Sequence, residues 1–453
     1  MNSQNFDLLI IGSGPGGHTA AFHAAKNGLT VGMIERKAIG GVCMNVGCIP
    51  SKAMIHKAAL VNQIGELEHM GIAVEKSGFD FSKVYENTCQ SVANLKKGIE
   101  FVVKKNKIEY IQGNGVITGV NTVKVGEIEY TAKNIIIATG STPTSIPGVT
   151  PDHKMIIDSD DVFDVKELPK SLLVVGGGVI GVELGYVFNA FGSEVRIVEY
   201  LEQILPFEDK DTASTLARSL KKQGVKLSTS TKVLSLEVTK DGVKAEIENK
   251  KGVKEEIEAS LALIATGRKP NISNIGLEGL GLETERGFVK VGDFCQTVVK
   301  NIYAIGDVIS TPMLAHVAAR EGIIAVDHIL GKGVNKCVDA QLVPSAVYTE
   351  PQVGSFGKTE AKLQEEVVEY EKKQIQYRAL GKAVATGELD GLIKILTDSN
   401  TKQILGVHCV GAQATEVIHS LLVAKTAGLG VDEVKKTIFA HPSFSEIISE
   451  ALH

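Results

Sequence analysis

Cys43 and Cys48 stand five positions apart in the run Gly40-Gly41-Val42-Cys43-Met44-Asn45-Val46-Gly47-Cys48-Ile49-Pro50-Ser51-Lys52. Two thiols held this close can alternate between a disulfide and a dithiol, and so carry an electron pair. Residues five apart in a regular helix are offset by about 7.5 Å along its axis. A disulfide needs its Cα atoms within about 4.4–6.8 Å. The segment must therefore be distorted if the pair bonds, and Gly47 supplies the freedom. Pro50 suits the first turn of a following helix. Lys52, four residues after Cys48, falls on the same helical face, where an ammonium favours a thiolate and an electron-rich cofactor. A structural zinc site wants four ligands, and only His56 is near. Two structural core thiols remain the plain alternative. Cys89, Cys295, Cys337 and Cys409 are isolated in sequence and are expected to be core thiols.

The second candidate is His441, five residues before Glu446. A thiolate leaving a disulfide needs a proton or a positive neighbour, and a histidine steadied by a carboxylate provides one. Spacing alone favours a surface pair.

Chemistry of this kind needs something to pass electrons to, and the elements around the cysteines point to a bound dinucleotide. The apolar strand Asp7–Ile11 runs into Gly12-Ser13-Gly14-Pro15-Gly16-Gly17, an Ala-rich helix to about Lys26, and a strand Thr30–Ile34 ending in Glu35. This is a β–α–β unit with Gly-x-Gly-x-x-Gly at its first turn. The helix N-terminus faces a pyrophosphate, and the acid holds a ribose hydroxyl pair. The unit recurs: Leu172–Val175, Gly176-Gly177-Gly178-Val179-Ile180-Gly181, a helix, and Val195–Val198 ending in Glu199. Glu35 follows Gly12 by 23 residues and Glu199 follows Gly176 by 23. A single such glycine run is weak evidence; two copies with the acid at the same offset are specific. Asn134–Ala138 and Leu261–Ala265 are likewise paired, each an apolar strand closing on a Thr-Gly turn, Thr139-Gly140 and Thr266-Gly267.

Elsewhere, Val92, Leu95, Ile99 and Val102 recur at helical spacing, which predicts one buried face over about 82–105. The stretch 225–264 alternates like a hairpin, with Asp241-Gly242 at its turn. Ile302–Asp307 reads as a strand ending in Gly-Asp. Residues from about 345 onward read as an α+β domain. A chain of 453 residues with 43 % hydrophobic and 22 % charged content has room for about three domains. Its net charge of −5 offers no basic footprint for nucleic acid. No apolar run nears the roughly 18 residues of a membrane helix, and no signal peptide is visible. A cytoplasmic location is expected, where a disulfide is catalytic.

Over essentially its whole length the chain resembles the pyridine nucleotide–disulfide oxidoreductases, and among them the branch that oxidises dihydrolipoamide. The carriers are the first glycine run, Cys43-x4-Cys48-Ile49-Pro50-Ser51-Lys52, the second glycine run with Glu183, the Ala138-Thr139-Gly140 and Thr266-Gly267-Arg268 turns, Ile305-Gly306-Asp307, Pro312-Met313-Leu314-Ala315-His316, and His441-Pro442 with Glu446. The resemblance implies an α/β fold of two Rossmann-like dinucleotide-binding domains plus a C-terminal α+β dimerisation domain. It divides the chain into 1–148 for FAD and the disulfide, 149–270 for NAD, 271–343 completing the FAD site, and 344–453 for dimerisation.

It also implies roles. Gly12, Gly14, Gly17 and Glu35 bind FAD; Thr139 and Gly140 line the flavin, Asp307 contacts its ribityl chain, and Ala315 belongs to the same site. Lys52 lies by the flavin ring and pairs with Glu183. Gly176, Gly178, Gly181, Glu199 and Gly267 serve NAD, the acid disfavouring a 2′-phosphate. Cys43 exchanges with substrate and Cys48 faces the flavin. His441, oriented by Glu446, is the acid–base of the partner subunit in a homodimer. The implied activity is oxidation of protein-bound dihydrolipoamide with NAD+. The lipoyl group arrives on a carrier protein or a 2-oxoacid dehydrogenase or glycine-cleavage complex. The alternatives are a related reductase of another disulfide, a persulfide, a metal or a quinone, and a non-enzymatic redox-sensing or structural flavoprotein subunit. Val42, Met44, His18, Ser443 and Phe444 depart from the common family pattern.

Overall fold

Apolar β-branched runs bounded by glycine dominate the parallel strands, as expected for strands covered on both faces. A computed structural model of the chain describes residues 5–75, 78–333 and 338–453. These gather into two compact units. One comprises the described residues within Met1–Ala53, Tyr85–Thr144 and Arg268–Val338; the other those within Met54–Val84, Ser145–Gly267 and Asp339–His453.

In the first unit, strand Asn5–Ile11 lies between Val31–Glu35 and Ile128–Ile137, parallel to both, and Glu109–Gln112 extends the sheet beyond Val31–Glu35. The free edge of Ile128–Ile137 is shared. Its first half pairs antiparallel with Thr122–Val125, and its second half pairs parallel with Ile302–Ala304. The late segment 302–304 thus completes the N-terminal sheet. Leu8, Leu9, Ile10, Ile135 and Ile136 are fully buried at its centre. The helices Pro15–Lys26 and Ala315–Ile329 cross closely through small residues. A Cβ on Gly322 would lie 2.8 Å from the Gly16 carbonyl oxygen.

The second unit holds a five-stranded parallel sheet in the order Lys226–Ser228, Glu194–Val198, Ser171–Val175, Leu261–Ile264, Ile156–Asp158. The alternating stretch after it is a meander of Thr231–Val238, Val243–Asn249 and Lys254–Ala259, with Gly242 at φ 152° in the first turn. The unit also contains the antiparallel sheet Ser345–Val347, Gln352–Gly357, Ile404–Gly411, Leu392–Asp398, Tyr370–Gln376, backed by helix Ala414–Thr426.

In that sheet Lys394 is 1 % exposed. Its Nζ lies 2.7 Å from Asp209, 2.6 Å from Asp211 and 2.8 Å from Glu360. Asp209 also caps helix Lys210–Lys222 by accepting from the Asp211 amide. Burial alone would lower the Lys394 pKa, but the three carboxylates outweigh it and hold the ammonium charged.

Two expectations are corrected. Helix Phe81–Lys105 forms, yet Leu95 is 41 % exposed and Val92, Ile99 and Val102 are only half-buried. Periodicity reports an apolar stripe but not what covers it. Cys89 is exposed on the same helix, because its position faces away from the flank that packs, while Cys295 and Cys409 are buried. Cys337 lies outside the described residues. No helix among the described residues is long and apolar enough to cross a membrane.

Candidate active site

The two glycine turns share one backbone geometry. Gly12 and Gly176 both take φ 111°, and a Cβ there would strike the carbonyl oxygen of Ala138 at 2.1 Å or of Ala265 at 2.4 Å. Gly17 and Gly181 bring their helices onto the turn: a Cβ on either would lie 2.0 Å from the carbonyl oxygen of Gly12 or Gly176. Gly14 and Gly178 are the opposite case, with nothing within 4 Å of an added Cβ. Each caps its helix with extended backbone and without a side-chain cap. First-turn N–H groups therefore face open space at the carboxyl ends of two parallel sheets, which fits a pyrophosphate.

The acids match as well. Glu35 Oε2 accepts from the Ser13 amide at 3.0 Å and the Ser13 hydroxyl at 2.7 Å, and Oε1 accepts from the Lys37 amide at 2.8 Å. Glu199 Oε2 accepts from the Gly177 amide at 2.6 Å and Oε1 from the Leu201 amide at 2.7 Å. Both side chains are buried and fixed, and a carboxylate has about four lone-pair sites. Each retains capacity for a ribose hydroxyl. His18, on the first helix, contacts the Ser13 carbonyl, and burial pushes its pKa below the usual imidazole value.

The Thr139-Gly140 turn is clasped by Asn271. The Thr139 hydroxyl donates to the Asn271 carbonyl at 2.6 Å, the Asn271 amide side chain donates back at 3.1 Å, and the Asn271 N–H reaches the Gly140 carbonyl at 2.8 Å. Asp307 sits in the turn Gly306–Val308 after strand Ile302–Ala304 and accepts from the Ser141 hydroxyl at 2.5 Å. Ala315 begins helix Ala315–Ile329.

Cys43 lies in the short helix Gly41–Val46, and Cys48 is the first residue of helix Cys48–Asn62. The break between them is Gly47, whose added Cβ would press on the Val42 carbonyl oxygen at 3.0 Å and the Cys43 Cα at 3.2 Å. This is the distortion that the spacing requires. Both residues are half-buried and carry thiol side chains. A hydrogen bond with Cys48, then burial, pushes the Cys43 thiol far above its ordinary pKa; the Lys52 charge opposes this more weakly. Cys48, at the positive end of a 15-residue helix, is the better thiolate.

His441 Nδ1 lies 2.8 Å from Glu446 Oε1, and the Ser443 amide donates to Glu446 Oε2 at 2.7 Å. That amide first, then His441, holds the Glu446 carboxyl below its ordinary pKa. The carboxylate fixes the tautomer, leaving Nε2 as the working nitrogen on a side chain 77 % exposed. Phe444 anchors the segment: it is buried and stacks on Tyr377 with centroids 5.9 Å apart.

The first unit thus collects the first glycine turn, Glu35, Cys43, Cys48, Lys52, Thr139, Gly140, Asp307 and Ala315. The second collects the second glycine turn, Glu183, Glu199, Gly267, His441 and Glu446. Glu183 is buried and accepts from the Tyr348 amide at 2.9 Å. Lys52 and Glu183 fall in different units, and their pairing remains an implication of the resemblance. Ser13, Ser141 and Asn271 escaped the sequence reading. Only Ser13 carried a signal, as the residue between the first two glycines; Ser141 and Asn271 bond to residues far away in the chain.

Comparison with known proteins follows the same plan. Residues 6–322 match the model of the pyridine nucleotide-disulphide oxidoreductases, and 343–452 match that family's dimerisation domain. A mitochondrial dihydrolipoyl dehydrogenase of Pisum sativum is 39 % identical, covering 99 % of this chain and 91 % of its own. The dihydrolipoyl dehydrogenase of Rhizobium etli is 38 % identical, covering 99 % and 98 %. Among solved structures, LpdA of Mycobacterium tuberculosis superposes with a TM-score of 0.91 at 28 % identity, covering 99 % of both chains. The HOCl-induced flavoprotein disulfide reductase RclA of Escherichia coli, solved as a Cu(II) complex, gives 0.88 at 27 %, covering 100 % of this chain and 99 % of its own. With family models matched over 6–322 and 343–452, the chain belongs to the pyridine nucleotide-disulphide oxidoreductase family.

Proposed function

We propose that the protein oxidises dihydrolipoamide, borne on a carrier protein or on a 2-oxoacid dehydrogenase or glycine-cleavage complex, with NAD+ as acceptor. We assign FAD to 1–148 with 271–343, NAD to 149–270, and subunit pairing to 344–453, in a cytoplasmic homodimer. The carrying observation is 38–39 % identity over 99 % of the chain to dihydrolipoyl dehydrogenases, in a chain that has both the dithiol and the His441–Glu446 dyad.

The residues divide the work as follows. His441 Nε2 of the partner subunit takes a proton from a substrate thiol. The resulting thiolate attacks Cys43 Sγ of the Cys43–Cys48 disulfide, so one S–S bond forms as another breaks, and Cys48 leaves as thiolate. The helix N-terminus and Lys52 stabilise that charge. The second substrate thiol releases its proton to solvent and its thiolate displaces Cys43, which takes up the proton held on His441, and lipoamide departs. The dithiol left behind carries its proton on Cys43 and its charge on Cys48. Bound flavin supplies the two-electron step that links this dithiol to NAD+. Gly14 and Gly178 leave the phosphates room, and Glu35 and Glu199 orient the adenosine riboses.

The test is anaerobic turnover with NADH and NADPH against lipoamide and glutathione disulfide in all four pairings. Activity confined to NADH with lipoamide supports the assignment; absence of lipoamide turnover in a fully flavinated protein overturns it. The likeness to RclA, a flavoprotein disulfide reductase solved as a Cu(II) complex, favours the competing reading, a reductase of another disulfide or of a metal ion, and those acceptors belong in the same assay. His441→Gln should cut lipoamide turnover by about a hundredfold while NADH oxidation by an artificial acceptor persists. Glu199→Gln, which removes the charge facing a 2′-phosphate, should narrow the NADH over NADPH preference in kcat/KM by about tenfold.

A further inference from the structure

Ser141 is 4 % exposed and sits at the start of strand Ser141–Pro143, which pairs antiparallel with Arg268–Pro270. Its hydroxyl stands between two charged groups. Arg268 Nε donates to Ser141 Oγ at 2.8 Å, Arg268 NH2 donates to the Ser141 carbonyl at 3.0 Å, and Ser141 Oγ lies 2.5 Å from Asp307 Oδ2. The direction of this chain is forced. Arginine has donors only, and a hydroxyl has a single proton. Arg268 occupies a lone pair of Ser141, so the hydroxyl proton must go to Asp307.

A direct Arg–Asp fork would engage both carboxylate oxygens. Interposing serine keeps the guanidinium one bond away and commits only Oδ2. Oδ1 is left as the oxygen not bonded to Ser141. The backbone of the same turn is pinned separately: the Gly306 amide donates to the buried Glu321 at 2.6 Å.

We propose that Ser141 and Arg268 are positioning residues that orient the Asp307 carboxylate and polarise it toward a polyol hydroxyl of the flavin cofactor. The proposal rests on the assignment of FAD to this unit. Neither residue touches the cofactor in this account; both act through Asp307.

The experiment is reconstitution of the full-length apoprotein with FAD, following quenching of flavin fluorescence, for wild type, Ser141→Ala, Asp307→Asn and the double variant. Ser141→Ala should raise the FAD dissociation constant roughly tenfold. In the Asp307→Asn background it should add nothing, because its path of action is gone. Arg268→Met should behave like Ser141→Ala, and Arg268→Lys, still a pure donor, should recover part of the loss. Wild type that binds FAD while Ser141→Ala binds it equally well overturns the positioning role alone. Effects of Ser141→Ala and Asp307→Asn that multiply in the double variant do the same. Wild type that takes up no FAD overturns the flavin assignment itself.

Discussion

Replacing Cys48 by serine is expected to abolish lipoamide turnover while sparing NADH oxidation by artificial acceptors. Serine cannot form the disulfide that the substrate thiolate must attack, so no mixed disulfide forms at Cys43 and no thiolate leaves. The dinucleotide machinery does not depend on that sulfur. The glycine turns, Glu35 and Glu199 are held by their own backbone contacts. The two activities should therefore separate. Cys43→Ser should lose lipoamide turnover too, but it keeps Cys48 at the helix start, where the anion is favoured. Iodoacetamide labelling across pH distinguishes the variants: Cys48 in Cys43→Ser should react at lower pH than Cys43 in Cys48→Ser. Retained lipoamide turnover in Cys48→Ser would refute the relay.

The second large effect is on stability. Lys394→Met should destabilise the second unit by about 3–5 kcal/mol, because removing one partner leaves buried charge uncompensated. Asp209 is 2 % exposed and depends on the Lys394 ammonium, whereas Glu360 retains Lys372 at 3.0 Å. The loss should appear in denaturant unfolding monitored with the cofactors removed, since bound ligand raises apparent stability. Unfolding unchanged in Lys394→Met would mean that the carboxylates had found other partners.

The same cluster sets an acid limit. Burial would raise the Glu360 pKa, but hydrogen bonds from Lys394, Lys372 and Tyr370 reverse this and lower it to about 2, and Asp209 is lowered as well. A carboxyl depressed in the folded state adds stability above its unfolded value, and that contribution is lost as pH falls toward the folded value. Acid unfolding of the wild type should therefore be shallow down to about pH 4 and steepen below it. In Lys394→Met the steepening should shrink, because without the ammonium the folded-state carboxyls are less depressed and burial pushes them up.

Phe444 illustrates how far a departure from a family pattern can be read. From sequence it is only an unexpected aromatic between His441 and Glu446. In the fold it is buried against Tyr377, whose hydroxyl donates to the Ala412 carbonyl at 2.9 Å. Its substitution belongs to the support of the dyad and leaves the dyad itself intact.

What could be read from the chain alone was whatever short-range geometry encodes. Gly-x-Gly-x-x-Gly with an acid at fixed offset specifies a turn, a helix start and a ribose ligand within one β–α–β unit. Both copies fold that way because backbone contacts such as Gly17 on Gly12 admit no side chain. The Cys43–Cys48 spacing likewise demanded a break, and Gly47 makes it. The long-range choices were decided by tertiary structure. Strand Ile302–Ala304 returns to an N-terminal sheet formed well over a hundred residues earlier in the chain. Ser141 becomes a link between Arg268 and Asp307, and Lys394 is buried because three carboxylates from two other segments converge on it. The helical stripe at Val92 and Leu95 and the exposed Cys89 mark the same boundary. A periodic pattern states that a residue can be covered, but only packing determines whether anything covers it.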